Sequence, residues 1–265
     1  MTSAPIAAET TPPSAAAMMG SLRGVGYSPA SAVADIIDNS IAARASNVWI
    51  DLVWNDGNPI VTILDDGHGM TEEDLVRAMR LGSTAPTQAR SAADLGRFGL
   101  GLKSASLSQC RRLSVLSHTT TGSSNSRCWD LAHIEATDRW ELMVPTLGRP
   151  AQSRAEELGR LPSGTLVVWE DNDLLASAFT SPKATASSAR RGFLSLVGRM
   201  EHHLAMVFHR FLEGDQPPLS IWLNGRRASN RLVGWDPFMS DHPATISTPE
   251  EQISTSSGQI SLKGF

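Results

Sequence analysis

Four short stretches of this chain carry residue types that could act together on a phosphorylated ligand. In Asp35-Ile36-Ile37-Asp38-Asn39-Ser40, Asp35 and Asn39 stand four apart, which on a helix puts them on one face, one turn from each other. An Asn amide oxygen is a neutral ligand for Mg²⁺, an ion that keeps several waters and is completed by phosphate oxygens. A carboxylate one turn away can orient or deprotonate an attacking water. The second stretch is Asp65-Asp66-Gly67-His68-Gly69-Met70, placed where an apolar run ends. Glycines let a backbone approach a flat ligand, and a carboxylate accepts a hydrogen bond from an exocyclic amine such as that of adenine. The third, Gly96-Arg97-Phe98-Gly99-Leu100-Gly101-Leu102-Lys103, is a glycine-rich loop opening a helix. Its free amides and dipole suit phosphate, and Lys103 adds a point charge. The fourth, Gly164-Thr165 before Leu166-Val167-Val168-Trp169, offers a hydroxyl at the start of a buried strand. Each stretch alone has a plainer reading: a solvated helix face, a tight turn, a flexible loop, a strand start.

The elements that must position these residues follow from the local pattern. Ser28-Pro29 is an N-cap followed by Pro at the first helical position, and Val33, Ile36, Ile37 and Ile41 recur at helical spacing. Val48 to Trp54 and Ile60 to Leu64 predict two antiparallel strands around Asn55-Asp56-Gly57-Asn58. Thr71, followed by acidic residues, starts a short helix that ends near Gly82. Residues 83–98 are polar and without period, a mobile loop, and Gly99 to Gln109 is helical. A hairpin from Leu113 to His118 and Arg127 to Leu131, a strand from Thr165 to Trp169 and a long helix from about Ala189 to Leu212 follow. That helix is expected to bury Phe193, Leu196, Val197, Met200, Leu204, Val207, Phe208 and Phe211. His202, His203 and His209 on it are ordinary surface or capping histidines, since no Cys or acidic ligand joins them in register. Pro145 to Pro162 is a connection without a clear pattern.

A chain of 265 residues holds one large domain, or one domain and part of a second, and the latter is expected. Residues 1–20, rich in Ala, Pro, Thr and Ser, are expected to form a mobile arm. The two cysteines, Cys110 and Cys128, lack metal-ligand spacing and are expected to be buried free thiols. With no membrane-length apolar run and no signal-peptide pattern, a soluble, cytoplasmic protein is expected. A net charge of −4 gives no electrostatic reason to expect nucleic acid over the whole surface.

The order of the four stretches is more specific than any of them. Asp35…Asn39, Asp65…Gly69, Gly96…Gly101 and Gly164-Thr165 resemble the motif series of the gyrase, heat-shock chaperone, histidine kinase and MutL (GHKL) superfamily. Within it, "IIDNSI", "LDDGHGM" and "LGRFGLGLKSAS" look more like the MORC branch and related bacterial ATPases than like MutL or gyrase. The resemblance implies an α+β fold, a two-layer α/β sandwich of Bergerat type whose mixed, mainly antiparallel sheet is covered by helices on one face. It implies that ATP and Mg²⁺ are bound: Asn39 on the metal, Asp65 on adenine with Gly67, Gly69 and Met70 beside it and Thr165 in support. Gly96, Phe98, Gly99, Leu100, Gly101, Leu102 and Lys103 would contact phosphates, with residues 83–98 as lid. The expected division is an arm at 1–20, the ATP-binding domain at 21–215, and a C-terminal extension at 216–265 as the start of a transducer domain. A P-loop is excluded, because no Gly-x-x-x-x-Gly-Lys-Ser/Thr occurs.

Two departures from the motif matter. Asp35 stands where the family's catalytic Glu is usual, one methylene shorter, and Ala42-Ala43 replaces an acidic residue followed by Ala. The resemblance therefore implies a Mg²⁺-dependent ATPase with nucleotide-driven lid closure and homodimerisation, or alternatively a non-hydrolysing nucleotide sensor. A histidine-kinase role is disfavoured because no helix with an acceptor His precedes the first motif. DNA is a partner by family analogy only. Gln259 to Lys263 alternate like an opening strand, and the chain is expected to be an N-terminal fragment whose following domain supplies a basic residue to the terminal phosphate.

Overall fold

The computed structural model describes residues 11–24, 26–81, 101–181, 183–214, 217–240, 242–246, 248–255 and 258–262. Two adjacent strands set the frame, β1 (Asn47–Val53) and β2 (Ile60–Asp65), paired antiparallel with Val48 opposite Asp65. The turn between them takes left-handed backbone at Asn55, Asp56 and Gly57, residue types that tolerate it. Behind them come β3 (Arg112–His118), β4 (Ser124–Asp130), β5 (Gly164–Glu170) and β6 (Ser220–Leu223), giving one six-stranded sheet in the order β4-β3-β5-β2-β1-β6. All pairs are antiparallel except β1 with β6. The fold is thus the expected α+β sandwich on a mixed, mainly antiparallel sheet.

Helices α1 (Ala15–Arg23), α2 (Pro29–Ala42), α3 (Glu72–Met79), α4 (Gly101–Leu107), α5 (Leu131–Thr137), α6 (Arg149–Leu158), α7 (Asp173–Ser177), α8 (Ala186–Val207) and α9 (His209–Leu212) surround it. Helix α2 starts as expected, the Ser28 hydroxyl accepting from Ser31 N. It buries Val33, Ile36 and Ile37 in the main core with Ile50, Ile63, Leu113 and Trp169. The opposite face of the sheet is also partly covered. Ala151 and Leu158 of α6 pack on Ile60, Leu64, Leu166 and Val168, which is why β2 and most of β5 are buried on both faces and carry apolar runs instead of alternation. Arg154 of α6 reaches Asp51 on β1 at 2.7 Å, and Arg226 reaches Glu157 at 3.1 Å, tying α6 to the sheet edge.

Several expectations are corrected. The arm expected at 1–20 is in part helical and docked, within a helix that runs from Ala15 to Arg23: Ala15 and Met19 are each 1% exposed. The Ser14 hydroxyl caps it, Asp138 accepts from Ser14 and from Ala16 N, and Arg23 pairs with Asp173 at 2.5 Å. Alanine and methionine favour helix, and a short apolar face of Ala15, Ala16, Met19 and Leu22 with polar locks at both ends replaces a long apolar stripe. The connection at 145–162 contains α6, whose buried anchors are Ala151 and Leu158. The long helix breaks at Phe208 (φ −100°, ψ 15°) before α9, and Val207 is 45% exposed. The boundary at 215/216 divides the sheet, because β6 at 220–223 is its sixth strand; Asn224, in left-handed backbone, accepts from Leu52 N at 2.7 Å. Gln259 and its neighbours have a partner, β7 (Glu251–Thr255) pairing with β8 (Gly258–Leu262). The lid expected at 83–98 lies outside the described residues. Cys110 and Cys128 are buried free thiols, and no described helix is long and apolar enough to cross a membrane.

Docking of α1 predicts that Met19→Ala lowers stability by about 2–4 kcal/mol, the usual cost of a buried Met-to-Ala truncation. Urea denaturation measures it. A midpoint equal to the parent's would mean that the helix does not pack on the core.

Candidate functional site

The central strands bring the second and fourth sequence stretches together. Asp65, last residue of β2, lies opposite Thr165 on β5. Its carboxylate is 5% exposed, Oδ1 accepting from Gly67 N at 2.9 Å and Oδ2 from the Ser40 hydroxyl at 3.0 Å. Burial pushes its pKa up to about 6. Hydrogen bonds from Gly67, Ser40 and the Thr165 backbone oppose that rise, and the Asp66 charge adds a little to it. Asp66 holds the strands together instead. It accepts from Ser46 N and Asn47 N at 2.8 Å each and from the Asn47 amide, lacing the end of β2 to the start of β1.

Close backbone approach explains two glycines. A Cβ at Gly164 would stand 2.2 Å from the Asp65 carbonyl oxygen, and one at Gly69, whose φ is +70°, would stand 2.0 Å from the His118 carbonyl oxygen. The hydroxyl of Ser117 then joins the pieces. It accepts from Met70 N at 2.7 Å, donates to the Gly164 carbonyl at 3.0 Å, and lies 3.0 Å from the Thr165 hydroxyl. If Thr165 donates to it, both lone pairs and the single proton of Ser117 are used. Ala43, at one motif departure, accepts from His68 N at 3.0 Å, so its backbone helps to hold the Asp65–Gly69 turn.

Helix α2 supplies the other side. Asp35 and Asn39 lie one turn apart as expected: the Asn39 amide N–H donates to the Asp35 carbonyl at 2.7 Å, which leaves the amide oxygen as the group suited to a cation. Asn39 is exposed and Asp35 half-buried. Asp35 Oδ2 is 3.8 Å from where a Cβ of Gly101 would be, so α4 begins beside this carboxylate. Asp38, half-buried on the next turn, has its carboxyl pushed above the ordinary range by burial and then by the Asp35 charge. One oxygen donor, with water and phosphate completing the shell, is the donor set that Mg²⁺ accepts in phosphate sites. Among the described residues no group of three or more His, Cys, Asp or Glu gathers for a metal. His202 lies against Trp235 with ring centroids 4.6 Å apart and ring planes tilted by 38°, and His209 Nδ1 pairs with the Met206 carbonyl at 2.7 Å.

The third stretch is met only in part. Gly101 and Leu102 are half-buried at the start of α4, whereas Gly96, Phe98, Gly99 and Leu100 lie outside the described residues. Lys103 is 1% exposed, its ammonium donating to the Ala78 carbonyl at 2.6 Å and the Arg80 carbonyl at 2.9 Å. It therefore satisfies the C-terminal carbonyls of α3, and burial lowers its pKa to about 8. Sequence reasoning gave no role to Ser40 or Ser117. The available signal was a serine on the buried side of an apolar element, at Ser117 within Arg112–His118 and at Ser40 one residue past Asn39.

The family model for histidine kinase-, DNA gyrase B- and HSP90-like ATPases matches residues 27–165, just over half of the chain. The chain is 30% identical over 186 residues to the DNA mismatch repair protein MutL of Chromohalobacter salexigens, covering 69% of this chain and 24% of that protein. MutL of Pseudomonas fluorescens is 31% identical over the same length and coverage. ATPase morc-1 of Caenorhabditis elegans is 33% identical over 85 residues, 32% of this chain and 10% of that protein. The chain thus spans a quarter or less of the length of these relatives.

Because the folded pKa of Asp65 lies above the ordinary carboxylate value, the folded state holds the extra proton. The stability this contributes is full below about pH 4 and is lost as pH rises through about 6. Asp65→Asn is expected to remove that slope, about 3 kcal/mol across the window. Urea denaturation of both proteins between pH 4 and 7 tests this, and parallel stability curves would contradict it.

Proposed function

Since the chain belongs to the histidine kinase-, DNA gyrase B- and HSP90-like ATPase family, the GHKL superfamily, we propose that it is a Mg²⁺-dependent ATP-binding module that hydrolyses its nucleotide. The observation that carries this reading is the Asp65 carboxylate, sunk at the end of a central strand and held by Ser40 and Gly67. A fixed acceptor beside close-packed backbone suits an adenine amine, with Gly67, Gly69 and Met70 along the base and Thr165 in support. Asn39 would hold Mg²⁺, which would supply positive charge against that of the phosphates. Asp35 orients and deprotonates the attacking water. The amides at the start of α4, Gly101 and Leu102, and the preceding Gly96, Phe98, Gly99 and Leu100 take the phosphates. A direct phosphate contact by Lys103 requires its ammonium to leave the α3 carbonyls, so its share is smaller.

The same proposal gives residues 83–98 the lid and makes nucleotide binding the trigger for a MORC-like homodimer. MutL relatives named for DNA mismatch repair make DNA a candidate partner, and a net charge of −4 confines such contact to a local patch. A second reading, a nucleotide sensor without turnover, is favoured by Asp35 itself. A carboxylate one methylene short of Glu holds the water farther from the phosphate.

Calorimetric titration with ATP is expected to show Asp65→Asn binding at least roughly tenfold more weakly, because an amide presents a donor where the amine needs a charged acceptor. Lys103→Ala should lose less. Binding by Asp65→Asn equal to the parent's would displace the adenine pocket.

Asn39→Ala is expected to abolish the tightening of ATP by Mg²⁺ while leaving metal-free binding in place. In phosphate-release assays Asp35→Asn should bind without turnover, and Asp35→Glu should keep or raise the rate. Parental turnover in Asp35→Asn would put the base elsewhere, and a parent with no turnover at all would favour the sensor.

A further inference from the structure

A cavity of about 650 Å³ opens between the N-terminal helix and the body of the domain, and none of its lining residues belongs to the Asp65 site. Met18 and Leu22 of α1 form part of its wall, Val76 and Leu81 at the end of α3 another part, and Trp129 of β4 with Trp140 a third. The two indoles meet edge to face, with ring centroids 6.2 Å apart and planes at 88°, an arrangement that aromatic pairs favour. Met18 is 46% exposed and Trp140 42%, so the cavity is reached from solvent. Its volume is that of a small-molecule site, which is mostly apolar and carries a few placed polar groups.

Those polar groups are of one kind. Of the nine lining residues only Arg80 is charged, and no lining side chain carries an oxygen. The Trp129 indole N–H is spent on the Met79 carbonyl at 2.9 Å. The Arg80 guanidinium and the Trp140 indole N–H are left to address a ligand, and both only donate. Arg77 is paired with Asp74, whereas Arg80 is exposed and forms no ion pair among the described residues. A complementary guest therefore has an apolar body and an anionic head that accepts. A carboxylate does so in the plane of a guanidinium, through two parallel hydrogen bonds. A cationic head finds no acceptor and meets Arg80 as a like charge. Walls of Met, Leu and Val suit a flexible chain.

We propose that this cavity is a binding site for a medium-chain aliphatic carboxylate, its chain between α1 and the two indoles and its head on Arg80. Bound there, the guest touches α1, the end of α3 and β4 together and ties the N-terminal helix to the body. The Ala78 and Arg80 carbonyls hold the Lys103 ammonium, so the same ligand braces the end of α3 that anchors α4.

Calorimetric titration with octanoate, without nucleotide, is expected to show saturable binding at one site and, by mass action, a raised melting temperature. Arg80→Gln keeps the backbone carbonyl that Lys103 uses and is expected to weaken binding by roughly tenfold. Met18→Trp, at a part-exposed position, fills the cavity and is expected to abolish binding while the urea midpoint stays near the parent's. Octylamine has the same body with the opposite head, and butyrate the same head with a short body. Each is expected to bind at least roughly tenfold more weakly than octanoate. No binding by the parent, uptake without saturation as of a detergent, or parental binding by Met18→Trp overturns the site. Equal affinity for octylamine, or parental binding by Arg80→Gln, overturns the carboxylate assignment.

Discussion

A carboxylate at the inner end of a central strand must be met by protein dipoles, because water cannot reach it to share the charge. Asp65 sets this requirement, and much of the surrounding structure answers it. The Ser40 hydroxyl must come from α2, which fixes that helix over the end of β2. The Gly67 N–H must fold back within two residues, which fixes the turn. The close approach of β5 places Thr165 opposite Asp65 and leaves no room for a side chain at Gly164. Ser117 on β3 then satisfies the groups that this approach brings together. The Ser40 tie holds α2, which also carries Asp35 and Asn39, at the end of β2.

What was legible in the sequence was whatever is encoded within a few residues. Ser28-Pro29, the apolar period of α2 and the alternation in β1 carry their own meaning, and the structure follows them. What was hidden depends on distant partners. Helix α1 has a short apolar face and gains its place from Asp138 and Asp173, more than a hundred residues away. Helix α6 shows two buried apolar anchors, Ala151 and Leu158, among charged residues, and only the apolar backs of β2 and β5 give them a surface to bury. The run of apolar residues in β5 was visible, but the reason, cover on both faces, was not. Strand β6 belongs to the sheet through parallel pairing, which leaves no hairpin signal.

The candidate site divides in the same way. Residue types and spacing singled out Asp35, Asn39, Asp65, Gly69 and Thr165 as candidates, because each belongs to a motif with its own spacing. The hydroxyls that bond to this region, Ser40 and Ser117, come from elements where a lone polar residue has no pattern. Lys103 shows the limit from the other side: a lysine beside a glycine-rich turn invites a phosphate role, whereas the fold gives it the carbonyls at the end of α3. The family match ends at residue 165. Helix α8 and β6 complete the sheet and its core from beyond that point.

The parallel edge formed by β6 also imposes an order of events on the growing polypeptide. Leu52 and Asn224, which meet there, are 172 positions apart, whereas β1 and β2 are joined by a few residues and can pair at once. Loop-closure entropy delays distant pairings relative to local ones, and synthesis from the N-terminus delays this one further. Until Ser220 to Leu223 arrive, β1 presents an unpaired edge whose free amides and carbonyls are a template for another strand. The nascent chain must therefore carry a complete Asp65 pocket and an open flank at the same time. Its most hazardous interval for aggregation falls after β5 is made and before β6 closes the sheet.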